Sequence, residues 1–398
     1  MPQLMQINWF PTLLSLVVLA GAPFALSAAD PAPGTAEATH DVPGPVRLTL
    51  PPTIYAVVGH QMNVYFDNVT LVLNPDNYAF DVACAKGRQQ SERWTYTPAA
   101  QDVGSHPFEL TVRNEQNELI ASGRCELRVV AEAKTDLSVL MIGDSLTHAS
   151  VYPARVAELA EKAGAKMKLV GSHHPENQPE HVRHEGYGGW TAKRFATHYK
   201  PGAPGGDYKD RGSPFLYAED GGNPALNFAR YCQAANEGRF PDVVTIFLGP
   251  NDIFRATDET LESTIDDMLT HYEAVVKMIR QATPTTRIAA MLPVPPAATQ
   301  DAFGANYASG QTRWQYKRNQ HRLVERMLAA FSGREDEGVH LIPAYINLDC
   351  LRNYPTAREP IEADGEQVLR LNNGVHPAPA GYRQIGDSLY AWLSATSS

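Results

Sequence analysis

Between residues 136 and 396 the chain alternates continuous apolar runs with amphipathic stretches, and this alternation restricts the possible folds. Apolar runs without polar alternation are typical of strands buried on both faces, as in a parallel sheet covered by helices. The sequence therefore predicts an α/β region with helices on both sides of a parallel sheet. The predicted strands are Leu137–Ile142, Met167–Val170, Asp242–Leu248, Arg287–Leu292 and Val339–Ile342, and the predicted helices are Pro153–Gly164, Leu261–Ala282, Arg313–Phe331 and Pro379–Ser394.

Residues 46–132 have a different pattern, with about seven short alternating runs separated by turn residues. This density of short strands predicts a small all-β sandwich domain. An immunoglobulin-like fold is an analogy only, because the spacing of Trp94 and the cysteines is tighter than that fold needs. This domain is a binding or spacer module, or a packing partner for the α/β domain at 136–396.

The first 29 residues predict a secretory signal peptide, and residues 30–45 predict a linker rich in Pro and Ala. Residues 11–26 are largely apolar, and small residues near Ala28 and Ala29 offer a cleavage site. The apolar core is short and interrupted by Pro and Gly, which argues against a membrane span. We therefore expect an exported protein, periplasmic or extracellular, with no stable membrane insertion after cleavage.

Charge and cysteine content narrow the class of protein further. The 398 residues include 34 Lys and Arg against 44 Asp and Glu, a net charge of −10. Without a basic run, nucleic acid is excluded as a partner. The four cysteines, two in each predicted domain, allow one disulfide per domain or four buried thiols, and both alternatives stay open. They are Cys84, Cys125, Cys232 and Cys350.

Gly143-Asp144-Ser145 directly follows the first predicted strand of the sheet. Open α/β folds bind ligands at the carboxyl ends of their strands, and a serine there can act as a nucleophile when a base reaches it. The tripeptide alone is weak evidence, because Gly386-Asp387-Ser388 repeats it inside a helical pattern.

Three later segments supply partners for such a serine. His184–Thr191 reads HEGYGGWT, and its glycines can present free N–H groups to a ligand. Asn251, in Gly-Pro-Asn-Asp at the end of a predicted strand, can direct its amide at a developing oxyanion. His376 lies on a loop before the last predicted helix, where it is a candidate base.

In this order the four segments resemble the SGNH (GDSL) hydrolase family over roughly residues 136–396. The resemblance implies a flavodoxin-like, three-layer esterase domain. It implies that Ser145 is the nucleophile and that His376 is the general base. The N–H of Ser145, the N–H of Gly186 and the side chain of Asn251 would then hold the oxyanion.

Two points within this resemblance stay open. The loop glycine could also be Gly188 or Gly189. The family's Asp-x-x-His reads Asn373-Gly-Val-His376 here, so an amide replaces the expected acid. Either Asn373 orients His376 through its oxygen, or a Ser-His dyad uses a backbone carbonyl, or another carboxylate reaches the imidazole. The candidate carboxylates are Asp364 and Asp349.

A cluster of histidines in the same region matches no zinc pattern. We therefore interpret these residues as solvated loop histidines and expect neither a metal nor a cofactor. They are His173, His174, His181 and His184.

The substrate prediction comes from aromatic residues and a long irregular segment. Tyr187 and Trp190 are candidate substrate-binding residues, and the Gly/Pro-rich insertion at 197–227 is a candidate lid. With export, they favour a serine esterase that removes short acyl groups, above all acetyl, from a carbohydrate. The alternatives are a lipid or aryl-ester esterase or lipase of the same family, and a catalytically weak glycan-binding relative.

Overall fold

The computed structural model of the chain describes residues 46–175, 178–201, 209–219, 222–307, 311–363 and 365–396. These residues belong to one compact unit, Ala36–Ser398. The predicted signal peptide (1–29) and linker (30–45) lie outside the described residues.

Residues 46–132 are mostly strands, as predicted. The strands are β1 (Arg47–Leu48), β2 (Thr53–Val57), β3 (Met62–Tyr65), β4 (Thr70–Leu71), β5 (Ala79–Ala83), β6 (Arg88–Gln89), β7 (Arg93–Tyr96), β8 (Gly104–Arg113) and β9 (Leu119–Val130), with the short helix α1 (Phe66–Val69). They form sheets of order β2-β9-β8-β5 and β3-β7-β6 and the pair β1-β4. Ile54 and Leu127 of the first sheet and Val64 and Trp94 of the second are buried in one core.

The second part is the predicted parallel α/β arrangement. Its strands are β10 (Leu137–Gly143), β11 (Met167–Val170), β12 (Glu185–Gly186), β13 (Leu216–Tyr217), β14 (Ala225–Leu226), β15 (Val243–Phe247), β16 (Arg287–Met291), β17 (Val339–Ile342), β18 (Thr356–Pro360) and β19 (Gln367–Leu371). Its helices are α2 (Ser145–His148), α3 (Val151–Lys162), α4 (Ala192–Thr197), α5 (Phe228–Ala235), α6 (Pro250–Ile253), α7 (Leu261–Ala282), α8 (Asp301–Tyr307), α9 (Arg313–Phe331) and α10 (Pro379–Thr396).

The main sheet has the order β11-β10-β15-β16-β17, with every pair parallel and β12 added beside the end of β10. Alternate side chains of β10 enter two different cores. Leu140 and Ile142 pack in the core that includes residues of α7 and α9. Val139 and Met141 pack in the core that includes residues of α3 and α10. The sheet is therefore the middle of three layers, and its strand order is that of flavodoxin-like folds.

Buried hydrogen bonds connect the strand-rich part to the α/β part. The amide of Asn68 donates to the carbonyl oxygens of Tyr345 and Leu348, each at 2.8 Å. Oδ1 of Asn347 accepts from the backbone N–H and the amide of Asn63, each at 2.9 Å. The loop that follows β17 is thus held by the region that contains β3 and α1.

The sequence analysis also made predictions about membrane insertion and about the state of the four cysteines. Within the described ranges, no helix combines the length and the apolar character that a membrane crossing needs. All four cysteines are free thiols, and Cys232 and Cys350 are buried. The structure therefore contains neither of the two disulfides, and the alternative of four buried thiols holds only for Cys232 and Cys350, since Cys84 and Cys125 are half-buried.

Candidate active site

Ser145 lies where β10 ends and α2 begins. The side chain of Asp144 is buried, and its Oδ1 accepts the N–H of Leu146 at 2.9 Å, which caps α2. The neighbour of β10 toward the middle of the sheet is β15, and the chain order along the sheet reverses at this point. Ser145 therefore lies at the switch point of the sheet, where folds of this type form their binding crevice.

His376 contacts Ser145 directly. Its Nε2 lies 2.9 Å from Oγ of Ser145, although 231 residues separate them in sequence. Burial lowers the pKa of His376 below its ordinary value of 6.5, which keeps the imidazole neutral near pH 7. A neutral imidazole at hydrogen-bond distance from a serine hydroxyl can accept its proton.

Asn373 holds the backbone of the histidine loop. Its Oδ1 accepts the N–H of Val375 at 3.0 Å and the N–H of His376 at 2.9 Å, and Tyr307 Oη lies 3.4 Å away. This side chain therefore forms an Asx-type turn that orients the loop before the last helix. Among the described residues, no hydrogen bond involves Nδ1 of His376.

The two carboxylates considered as partners of the His376 imidazole are Asp349 and Asp364. Oδ1 of Asp349 accepts the N–H groups of Leu351 and Arg352, and its Oδ2 accepts Tyr65 Oη at 3.1 Å. These partners occupy both oxygens of Asp349. Asp364 lies outside the described residues.

Asn251 connects three segments at the end of the sheet. Its Nδ2 donates to Oδ2 of Asp144 at 3.3 Å and to the carbonyl oxygen of Trp190 at 3.1 Å. The segment after β15 is thereby joined to the serine turn and to the glycine-rich loop. The amide nitrogen faces the same edge of the sheet as Ser145.

Gly186 and Gly189 have different surroundings. The N–H of Gly186 donates to Nδ1 of His184 at 3.0 Å, and a Cβ at Gly186 would lie 2.6 Å from Cβ of Thr147. Gly189 has φ +75°, open space where a Cβ would be, and a position on the wall of a cavity with Asn251. Within the described part of the chain, the N–H of Gly189 has no acceptor.

This cavity has a volume of about 490 Å³ and a largely polar wall. Two threonines, an arginine, an aspartate, an asparagine and a phenylalanine contribute to it. The lining residues are Gly189, Asn251, Asp252, Phe254, Arg255, Ala256, Thr260 and Thr264.

Tyr187 and Trp190, the candidate substrate-binding residues, are both fully buried. Their ring centroids are 4.7 Å apart, and Tyr187 Oη donates to the carboxylate of Glu185 and accepts from Arg211 at 2.9 Å. Both rings lie in the core beneath the glycine-rich loop and outside the cavity wall.

The interpretation of the histidines as solvated is wrong for His184, which is fully buried. Its Nε2 lies 2.8 Å from Oγ of Ser150, and its ring packs at 62° to that of His173, 5.2 Å away. His173 in turn stacks on His148. In the ranges that the structure covers, no group of three or more His, Cys, Asp or Glu residues could hold a metal ion.

Asp144 is buried and Asp252 is half-buried, and the raised pKa values of these two acids were not predicted. Burial raises the pKa of Asp144 to about 7 and that of Asp252 to about 8. The carboxylate of Asp252 accepts the N–H of Ala192 at 3.2 Å. The signal in the sequence was only that Gly-Asp-Ser and Gly-Pro-Asn-Asp each place an acid at a strand end.

Comparison with known proteins identifies the family of the α/β part. The model of the GDSL-like Lipase/Acylhydrolase family matches residues 141–384. A family 3 carbohydrate esterase from Talaromyces cellulolyticus is similar in structure, with 18% identity over 66% of this chain and 98% of that one, and a TM-score of 0.38. The family 3 carbohydrate esterase of Clostridium thermocellum has 19% identity over 67% and 100% of the chains, with a TM-score of 0.37. None of the curated proteins matches the chain.

Proposed function

The chain belongs to the GDSL-like lipase/acylhydrolase family and is a carboxylic ester hydrolase, and from this premise we propose that Ser145 and His376 carry out the hydrolysis. The observation that supports the assignment is the 2.9 Å distance between Oγ of Ser145 and Nε2 of His376 at the switch point of the sheet.

In the first half-reaction, Oγ of Ser145 attacks the ester carbonyl while Nε2 of His376 takes the hydroxyl proton. The tetrahedral intermediate collapses when His376 gives this proton to the leaving alcohol, which leaves an acyl-serine. Water then attacks the acyl-serine with His376 as base, and the acid is released as Ser145 regains its proton.

Three donors surround the position of the oxyanion in this proposal: the N–H of Ser145, the N–H of Gly189 and Nδ2 of Asn251. Gly189 replaces the predicted Gly186, since the N–H of Gly186 already donates to His184. Asn251 contributes the hydrogen that now points at Asp144 over a long 3.3 Å. Preorganised donors of this kind lower the barrier because they need no rearrangement when charge develops.

Asn373 acts in this proposal through the loop and not through the imidazole. Its oxygen accepts the two backbone N–H groups at Val375 and His376. The reaction is therefore that of a Ser-His dyad whose histidine is positioned by an asparagine-held turn.

The polar cavity beside Asn251 supports a sugar as the alcohol part of the substrate, because hydroxyl and guanidinium groups can hydrogen-bond a hydroxylated ring. The proposed reaction is removal of a short acyl group, in particular acetyl, from a carbohydrate. We place it outside the cytoplasm on the strength of the signal-like residues 1–29, and we assign residues 46–132 as a packing partner of the α/β part.

The test is acetate release from acetylated oligosaccharides, with p-nitrophenyl acetate as a second substrate. Ser145→Ala should abolish both activities. The second Gly-Asp-Ser provides a matched control, because Ser388 on α10 hydrogen-bonds to Gln384 within its own helix. Ser388→Ala should keep wild-type rates. Rates that Ser145→Ala leaves intact would refute the proposed nucleophile.

A further inference from the structure

Arg255 lies on the wall of the cavity beside Asn251, directly after α6. Its side chain is exposed, and within the described residues no hydrogen bond or ion pair involves its guanidinium. The chain as a whole carries a net charge of −10, so carboxylates are plentiful on its surface. An arginine without a carboxylate partner in the described ranges therefore gives this cavity a positive charge that differs from the net charge of the chain.

The nearby arginines of α9 are all paired. Arg318 binds Asp258, and Arg322 contacts Glu262 at 2.6 Å. Arg326 contacts the same Glu262 at 2.7 Å. Unlike these three arginines, Arg255 has no carboxylate partner in the described part of the chain, so its charge is available to a ligand.

The backbone around Arg255 is held in place. Nε2 of Gln311 donates to the carbonyl oxygen of Phe254 at 3.1 Å. The amides of Gln315 and Asn319 both donate to the carbonyl oxygen of Ala256 at 2.8 Å. Because these bonds fix the residues before and after Arg255, a ligand would order only the arginine side chain on binding.

Asp252, the other titratable residue of the cavity wall, does not repel a bound anion at neutral pH. Burial raises the pKa of Asp252 to about 8, so this carboxyl group is largely protonated at pH 7. Thr264 adds a hydroxyl group that can donate to a ligand, whereas the hydroxyl of Thr260 is bonded to Thr257. The ionised group of the wall at neutral pH is therefore the guanidinium.

We propose that this cavity recognises a carboxylate on the alcohol part of the substrate through Arg255, so that the enzyme deacylates sugar chains that contain uronic acid. The planar guanidinium matches a carboxylate in two parallel hydrogen bonds. The inference rests on the proposed function, since it names the carbohydrate that the same site takes.

Three acetylated monosaccharides that differ at one group provide the test: methyl galacturonoside, its carboxyl methyl ester, and methyl galactoside. We expect kcat/KM for the free acid to exceed that for the methyl ester by about tenfold at low salt, and the preference to shrink as ionic strength rises. Arg255→Gln should remove the preference, so that the three sugars are hydrolysed with similar kcat/KM. Arg318→Gln removes the same charge from a paired position and should keep the preference.

The outcomes separate the two claims. If p-nitrophenyl acetate is not hydrolysed, or if Ser145→Ala hydrolyses it as well as the wild type, the proposed function fails. If that substrate is hydrolysed through Ser145 but the free acid is not preferred, including the case in which no acetylated sugar reacts, the carboxylate inference is overturned. A preference that survives in Arg255→Gln overturns it as well.

Discussion

The side-chain oxygen of Asn373 accepts two backbone hydrogen bonds, and these fix the loop that carries His376. Removing the oxygen leaves two N–H groups without their acceptor and frees the turn. Small displacements of a catalytic base reduce the rate strongly, by up to about 100-fold for about 1 Å. The contribution of this residue should therefore depend on its acceptor oxygen and not on a charge.

We expect Asn373→Ala to lower kcat/KM for p-nitrophenyl acetate by about 10- to 100-fold. Asn373→Asp keeps an oxygen acceptor at the same place and should stay within about threefold of the wild type, a difference of less than about 1 kcal/mol. Steady-state kinetics on the three proteins, with circular dichroism to confirm folding, checks this. Unchanged rates in Asn373→Ala would show that the loop does not need the side chain.

The two acids beside Ser145 make stability depend on pH. Burial raises the pKa of Asp144 to about 7 and that of Asp252 to about 8, whereas an unfolded Asp titrates near about 4. Between these values the folded chain binds more protons than the unfolded chain. The free energy of unfolding contributed by these groups is therefore fully present below about pH 4 and is lost as the pH rises through about 8.

Asp252→Asn cannot ionise, so its free energy of unfolding should fall less between pH 5 and pH 9 than that of the wild type. Urea denaturation at both pH values measures the difference. Asp76→Asn is the control, because Asp76 is an exposed acid in the strand-rich part of the chain. It should follow the wild type. Parallel pH dependence in all three proteins would contradict the raised pKa of Asp252.

At the scale of secondary-structure elements, the two-residue strand β12 brings the glycine-rich loop to the serine turn. Gly186 pairs with Gly143 in the register of β12 and β10. A Cβ at Gly186 would lie 2.8 Å from the backbone nitrogen of His148, as well as against Thr147. Gly189, three residues later, has open space but a left-handed backbone. The two glycines are thus required for different reasons.

We expect Gly186→Ala to lower both Tm and activity, because β12 and α2 cannot both keep their positions. Gly189→Ala should cost only about 1 kcal/mol of stability, the strain of a positive φ at a residue with a side chain. Differential scanning calorimetry and p-nitrophenyl acetate kinetics distinguish the two. Equal effects on Tm would mean that the close approach at Gly186 relaxes without cost.

The main strands and helices of the α/β part were predictable, whereas β12 was not. The five strands are mostly apolar runs; the central one, Val243–Phe247, is buried at every position, and such burial leaves a clear signal in the sequence. Glu185–Gly186 shows no period, and contact with β10 creates this strand. Similarly, His184 lies in a polar stretch, and it is buried through contacts with residues such as Ser150 and His173.

In the candidate active site, too, some features could be predicted from the sequence and others could not. The pairing of Ser145 with His376 could be predicted, because Ser145 directly follows a predicted strand and His376 lies on the loop before the last predicted helix. The role of Asn373 could not be predicted. Its side-chain oxygen could accept either from the backbone of its own loop or from the imidazole of His376, and only the rotamer of this side chain decides between them. The burial of Tyr187 and Trp190 was likewise invisible, because aromatic residues on a glycine-rich loop are equally suited to a cavity wall or a core.

At the scale of the whole molecule, charged residues join the strand-rich part to the α/β part. Asp67 of α1 accepts from Lys317 and, at 3.0 Å, from Arg313, both on α9. Lys317 is only 2% exposed. Its burial lowers the pKa of Lys317 below its ordinary value, and Asp67 opposes that shift. The carboxylate therefore stabilises the charged form of this buried ammonium.

Asp67→Asn should lower the free energy of unfolding by about 3 kcal/mol or more, because it leaves the Lys317 ammonium buried without its counter-ion. The double variant Asp67→Asn with Lys317→Met should recover much of this loss, since it removes the buried charge as well. Urea denaturation of the three proteins at pH 7 gives the comparison. A double variant as unstable as Asp67→Asn alone would show that the carboxylate acts through something other than Lys317.

The pair Glu92 and Arg352 provides a matched control, because it joins the same two parts of the chain at the surface. Its atoms are 2.7 Å apart, and the two side chains are 47% and 57% exposed. Water screens such a pair, so Glu92→Gln should cost less than about 1 kcal/mol. If Glu92→Gln and Asp67→Asn were equally destabilising, burial would not be the cause. A larger effect of Asp67→Asn would instead locate the stabilisation in the buried contact between α1 and α9.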